Sequence, residues 1–204
     1  MLYNWPQERA MITHPWVYWD GLFSDDQLDK IIYYCEAIGL ERGTTIGSND
    51  PKIVEEVRRC DLKFHKRTDE NAWVFDKCNG VLETLNDRFY QFDLNGYDAF
   101  QYTTYRAEEK GEYNWHIDMC LGNGTPRDMI QPRKLSMSML LNDPSEFDGG
   151  EFQLHEGNAD KAYTIAFKRG RAVIFPSWMP HRVTPVTRGV RKSLVIWVTG
   201  PKFI

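Results

Sequence analysis

The chain has 204 residues, enough for one domain with a real core, and its 42% hydrophobic and 14% aromatic content excludes a disordered protein. With 25 Lys and Arg against 29 Asp and Glu, the formal charge of −4 has the wrong sign for a general nucleic-acid binder. Cys35, Cys60, Cys78 and Cys120 show no C-x-x-C spacing, residues 1–9 lack the apolar core of a signal peptide, and no run reaches the length of a membrane span; free thiols in a cytoplasmic protein are expected.

Helices come first along the chain. Ser24-Asp25-Asp26-Gln27 has the form of a capping box with acidic residues in the first turn. Leu28, Ile31, Ile32, Cys35 and Ile38 then recur at helical spacing until Gly39 offers a stop. Residues 43–51 form a loop by composition, and 57–64 read as a strand. Thr68 or Asp69 is the expected cap of a second helix carrying Val74, Cys78, Val81, Leu82, Leu85 and Phe89. From Tyr97 the period changes to two, with strands predicted at 98–105, 112–119, 134–142, 150–155, 161–167, 171–175, 180–184 and 190–199. The turns between them hold Gly111, Asn123-Gly124, Gly149-Gly150, Gly157 and Arg169-Gly170. Such a block of short strands predicts a sandwich or barrel. The expected organisation is a single domain over 1–204, with 1–96 as mostly helical support and 97–204 as the β core.

His116 and Asp118 stand two apart on the strand predicted at 112–119, so their side chains project from one face. Alone, they fit a surface ion pair as well as a metal site. His181, just after the apolar run 172–175, completes a two-histidine, one-carboxylate set suited to ferrous iron with open positions. Arg191 follows in a run apolar enough to be a buried strand, where a permanent charge is costly unless an anion pairs with it. Ser193 shares its face and offers a hydroxyl to the same anion. His14, His65 and His155 have no partner at ligand spacing and read as surface or packing residues.

Taken with Tyr113-Asn114-Trp115-His116-Ile117-Asp118, Asp148-Gly149-Gly150-Glu151-Phe152 and the segment from Val173 to Arg191, the sequence resembles the iron- and 2-oxoglutarate-dependent dioxygenases. It is most similar to the prolyl-4-hydroxylase-like and PKHD-type hydroxylase branch, over roughly residues 97–199. The resemblance implies a mainly β fold with flanking helices, a double-stranded β-helix (jelly-roll, cupin-like) core with the early helices buttressing one sheet. It implies Fe(2+) on His116, Asp118 and His181 and 2-oxoglutarate as co-substrate, its distal carboxylate held by Arg191 and Ser193. It also implies O2 as oxidant and ascorbate as a supporting reductant. Tyr105 is the tyrosine expected to hydrogen-bond the co-substrate, with Tyr102 as the fallback. Tyr113, Met137, Met139, Phe152, Val183 and Trp197 are expected to line the pocket, although each would also suit an ordinary β-core. Met139 stands where many relatives carry a tyrosine, and Asn114 and Trp115 are expected at the substrate entrance. Because the carboxylate Asp118 is present, hydroxylation is expected over halogenation.

The implied reaction is hydroxylation of a C–H bond on a prolyl or other peptidyl side chain, releasing succinate and CO2, so a protein or peptide partner is expected. A free amino acid or small metabolite is the second reading. A nucleobase ranks third, given the acidic balance. A reading of another class is a non-catalytic cupin-like module that holds a metal or small acid; zinc hydrolysis is weaker still. Arg191 argues against both, because a purely structural metal needs no distal carboxylate clamp. Arg182, Arg188, Arg191 and Lys192 form either a patch that steers an acidic partner or a solvated surface around one pocket arginine.

Overall fold

Helix α1 (Asp25–Ala37) begins as its capping box dictates: the Gln27 N–H donates to Ser24 Oγ, and the Ser24 N–H donates to Gln27 Oε1 at 3.1 Å. Its buried stripe is Leu28, Ile31 and Cys35. The computed structural model describes residues 12, 14–44, 50–119, 131–157 and 161–201. Cys120, the Asn123-Gly124 turn and residues 45–49 of the expected loop lie outside them.

A short helix α2 (Pro51–Val57) occupies a stretch too brief for periodicity to reveal; Asp50 caps it by accepting from the Lys52 N–H at 2.9 Å. The strand expected at 57–64 divides into β3 (Arg58–Arg59) and β4 (Asp61–Lys66). Helix α3 (Ala72–Leu85) starts later than Thr68 or Asp69. Asn71 takes the cap position, but its amide closes the preceding turn, accepting from the Thr68 N–H at 2.8 Å and donating to the Lys66 carbonyl at 2.9 Å.

The remaining strands are β1 (Val17–Trp19), β2 (Glu41–Arg42), β5 (Ala99–Arg106), β6 (Glu112–His116), β7 (Arg133–Leu140), β8 (Phe147–Gly149), β9 (Phe152–His155), β10 (Ala162–Thr164), β11 (Ala172–Pro176), β12 (His181–Val183) and β13 (Val186–Thr199). A major sheet runs β1-β11-β7-β13-β5-β4-β2, with β8 also pairing β13. A minor sheet runs β10-β9-β12-β6-β3. These two antiparallel sheets form the jelly roll. Strand β13 starts four residues earlier than expected because Gly189, at φ +70°, carries the chain past Glu146, whose carbonyl a Cβ would strike.

Two cores result. Helices α1 and α3 pack on the outer face of the major sheet over Phe100, Tyr102, Leu135, Met137, Met139, Ile174, Leu194 and Ile196. A second core, with Tyr105, Leu140, Phe152, Leu154, Val173, Phe175 and Val183, includes strands of both sheets. Each fully buried large aliphatic or aromatic side chain contributes about 1.5–3 kcal/mol.

Register decides which residues reach the space between the sheets. Arg191 pairs with Tyr105, Ser193 with Leu140, Val195 with Ser138 and Trp197 with Ser136, and residues directly opposite share a face. Tyr102, Met137 and Met139 therefore do not line the pocket, contrary to expectation. They pack under the helices, where the Tyr102 hydroxyl donates to Glu36 Oε1 at 2.9 Å. The reason is parity: a shift of one residue moves a side chain to the other face. Tyr102 and Tyr105 are an odd number apart, so only one of them can face inward. Among the described residues no helix is long and apolar enough to cross a membrane.

Candidate metal centre and co-substrate cavity

Strand β6 ends at His116, so Asp118 is not on the strand that spacing predicted. It sits two residues beyond, where the Asp118 and Met119 N–H groups both donate to the Ser177 carbonyl at 2.9 and 2.8 Å. His181 on β12 lies directly opposite His116 in the minor sheet, with ring centroids 4.1 Å apart. The ligand atoms of His116, Asp118 and His181 all fall within 4.8 Å of one another. His116 Nδ1 donates to the Asn114 carbonyl at 2.7 Å and His181 Nδ1 to the Met179 carbonyl at 2.9 Å. These bonds fix the tautomer that leaves both Nε2 lone pairs for a metal.

Both Nε2 atoms face the carboxylate, at 3.8 Å from Asp118 Oδ1 for His116 and 3.3 Å from Oδ2 for His181. Oδ2 is buried and carries no aligned hydrogen bond. Three lone-pair donors so close repel unless a proton or cation stands among them. Burial, with His181 beside it, pushes His116 down to about 3. Burial opposes charge on His181, yet Asp118 beside it lifts its affinity for a proton above the ordinary value. Burial likewise opposes charge on Asp118, yet His181 holds its carboxyl below the usual range. The donor set fits a divalent cation with two imidazoles and one carboxylate, the ligand set of non-haem iron oxygenases.

Arg191 lines the same cavity, 2% exposed, with Nε and Nη1 lacking a hydrogen-bond partner among the described residues. The Tyr105 ring centroid lies 5.5 Å from Arg191 Cζ. Burial lowers the Arg191 pKa from its ordinary value, and a guanidinium in a protein carries its charge throughout the working pH range. Burial raises Tyr105, which keeps its hydroxyl protonated. Ser193, Tyr113, Phe152, Val183 and Trp197 line the cavity as well.

Sequence reasoning missed Arg58, Gln101, Ser138, Phe175 and Val195, which also line it. Arg58 is buried, donates from Nε to Cys60 Sγ at 2.9 Å and lies 4.5 Å from the ring centroid of Tyr113, which in turn stacks on His116 at 3.4 Å. Its only signal was a charge at the start of an alternating run. Trp115, expected at the substrate entrance, is exposed but does not line the cavity, and the Arg182 guanidinium lies 4.7 Å from its ring centroid. The three other cationic residues near Arg191 do not form one patch with it. Arg182 donates to Gln153, Arg188 pairs with Asp148 and Lys192 pairs with Glu36 of α1. Of the other histidines, His65 is buried and stacked on Phe100, His155 meets Trp115 edge-on and His14 meets Phe89 edge-on.

A jelly roll that gathers two imidazoles, a carboxylate and a buried unpaired arginine in one cavity has the architecture of a non-haem iron oxygenase. Residues 100–199 match the 2OG-Fe(II) oxygenase superfamily. A PKHD-type hydroxylase of Teredinibacter turnerae is 35% identical over 94 residues, 43% of this chain and 38% of its own. The PKHD-type hydroxylase YbiX of Escherichia coli is 32% identical over 151 residues, 73% of this chain and 65% of its own. The chain thus spans about a third to two thirds of the length of the curated relatives it matches. In fold it is similar to a Pseudomonas putida prolyl-4-hydroxylase, with a TM-score of 0.69 and 19% identity over 93% of this chain and 95% of that one. It is also similar to a Trichoplax adhaerens prolyl hydroxylase solved with a hypoxia inducible factor peptide fragment, with a TM-score of 0.71 and 16% identity over 92% and 84% of the two chains. Residues 100–199 form a 2OG-Fe(II) oxygenase domain, similar in sequence to PKHD-type hydroxylases and in fold to prolyl hydroxylases.

Proposed function

We propose that the chain is an iron(II)- and 2-oxoglutarate-dependent dioxygenase that hydroxylates a C–H bond of a prolyl or other peptidyl side chain, releasing succinate and CO2. The observation that carries this reading is a charged, buried arginine with no carboxylate partner among the described residues, in the same cavity as three convergent metal donors. His116, Asp118 and His181 would hold the iron, and Arg191, Ser193 and Tyr105 would hold the distal carboxylate of 2-oxoglutarate. Iron, when bound, supplies the activation of O2 and the oxidation of the substrate C–H bond.

The chain's own residues bind, orient and exclude water. The two Nδ1–H donors keep the imidazoles in their ligating tautomer. Arg191 presents a planar fork that matches a carboxylate, and its burial makes the charged pair strong. Phe152, Phe175, Val183 and Val195 keep the interior apolar. The stack of Arg58, Tyr113 and His116 fixes the plane of one ligand.

A peptide substrate is favoured over a small molecule, and the exposed Trp115 and Ile117 on either side of His116 offer apolar surface to such a chain. The Trichoplax relative, solved with a peptide fragment, gives the same direction. The free buried thiols Cys35, Cys60 and Cys78 support a reducing cytoplasm as the working compartment. The test is succinate formation from 2-oxoglutarate with ferrous iron and O2, followed by mass spectrometry of host proteins for the gain of one oxygen atom. No 2-oxoglutarate consumption with any peptide pool would sink the enzyme and leave a metal-binding module.

A further inference from the structure

Arg191 borders two cavities rather than one. The first holds the metal donors. The second, on the β11 side, has about 20 Å³ of free space and is lined by Leu140, Ile165, Phe167, Arg171 and Val173. Ser138, Phe152 and Arg191 are common to both. A space of this size holds one water-sized group.

The shared wall is thin where Ser138 stands, because its side chain ends at the hydroxyl. Gly150 lies against the stem of Arg191, where a Cβ would come within 3.0 Å of Arg191 Cδ, so the stem is closely backed. The guanidinium, by contrast, has Nε and Nη1 without a hydrogen-bond partner among the described residues, and Arg191 also lines the free space of the second cavity. One added methylene asks for a displacement of about one C–C bond length, roughly 1.5 Å.

We propose that the co-substrate pocket takes a 2-oxo dicarboxylic acid one methylene longer than 2-oxoglutarate, namely 2-oxoadipate, because Arg191 and Ser138 open onto a second cavity. This rests on the proposed 2-oxoglutarate site. A pocket without room for one methylene rejects it by about 10–200-fold. Here the extra carbon is accommodated, either by the chain bowing toward Ser138 or by the guanidinium retreating into the second cavity. The two carboxylates keep their partners in both cases.

The experiment is anaerobic calorimetry on the ferrous-iron-loaded protein, titrated in turn with 2-oxoglutarate, 2-oxoadipate and glutarate. Affinities for the two oxo acids within about tenfold are expected, since a misfitted methylene would exceed that limit. A larger gap overturns the proposal while leaving the 2-oxoglutarate site intact. Binding of neither oxo acid overturns that site and this proposal with it. Ser138→Ile fills the shared wall and should raise the preference for 2-oxoglutarate over 2-oxoadipate by about tenfold or more. Ser138→Val is the milder substitute should the isoleucine variant unfold. An unchanged preference in a folded variant also overturns the proposal, and weak glutarate binding establishes that the oxo group still engages the metal.

Discussion

A single side chain carries the strongest expectation. Arg191→Met keeps length and removes a charge that the fold already buries without a partner, so the protein should remain folded. Losing a charge-assisted pair at a desolvated site should cost about 2–5 kcal/mol of 2-oxoglutarate affinity, or roughly thirtyfold to several thousandfold. Iron affinity should change little, whereas His116→Ala or Asp118→Ala should abolish it. Calorimetry decides: equal 2-oxoglutarate binding by the folded Arg191 variant and the parent would remove the anchor. At this scale the sequence was legible where residue types are chemically expensive, as for an arginine in an apolar run. It was illegible where the pocket is built from ordinary residues. Ser138 faces the cavity and Met139 does not, and composition favours the larger apolar side chain for either place.

The element that positions Arg191 is β13, and its hold on β7 continues past the end of that strand. The Lys192 N–H donates to Asn142 Oδ1 at 2.8 Å, and Asn142 Nδ2 donates to the Val190 carbonyl at 2.9 Å, so one buried amide flanks Arg191 on both sides. Asn142→Ala leaves two main-chain groups unsatisfied and should cost about 1–3 kcal/mol. The Tm should fall by roughly 2–4 °C per kcal/mol in a domain of this size. Because the displaced strand carries Arg191, affinity for 2-oxoglutarate should fall while that for iron holds. A Tm within error of the parent would remove the clamp. Long periodic elements such as α1, β5 and β7 could be read from the chain, whereas the three-residue β8 fell between the strands expected at 134–142 and 150–155. Strands β1 and β2, at three and two residues, are too short to show any period, and only their partners β11 and β4 define them.

At the scale of the whole molecule, the edge of the major sheet is tied down electrostatically. Asp20, just after β1, accepts from Arg171 Nε and Nη2 at 2.9 Å and from Lys168 Nζ at 3.0 Å. Arg171, against a smaller opposing effect of burial, lowers its carboxyl from 3.8 to about 2. The folded value lies below the unfolded one, so this stabilisation is present in full above the ordinary carboxylate value. It disappears as pH falls through the interval between 3.8 and about 2. Asp20→Asn should remove that part of the pH dependence and lower neutral stability by no more than about 1 kcal/mol, as for a partly exposed pair. Denaturant midpoints measured against pH check this, and parallel curves for variant and parent would refute it. The switch in period near Tyr97 marks where the long run of strands begins, yet β1 to β4, all before it, also join the two sheets. The pairing of distant strands such as β1 with β11 does not follow from that switch, because no local pattern encodes it.

The two ends of the proposed co-substrate would rest on different sheets. His116 and His181 belong to the minor sheet, and Arg191 to the middle of the major one. A dicarboxylate bound to both is a strut across the sandwich, resisting any sliding of one sheet over the other. Metal alone should slow amide hydrogen exchange chiefly around β6 and β12. Metal and 2-oxoglutarate together should extend that protection to β13, β5 and β7, with a gain of about 2.7 kcal/mol at a hundredfold excess over Kd. Opening motions that separate the sheets would then be rare with the ligand in place and frequent after its turnover, so the reaction itself would set how long the sandwich stays locked.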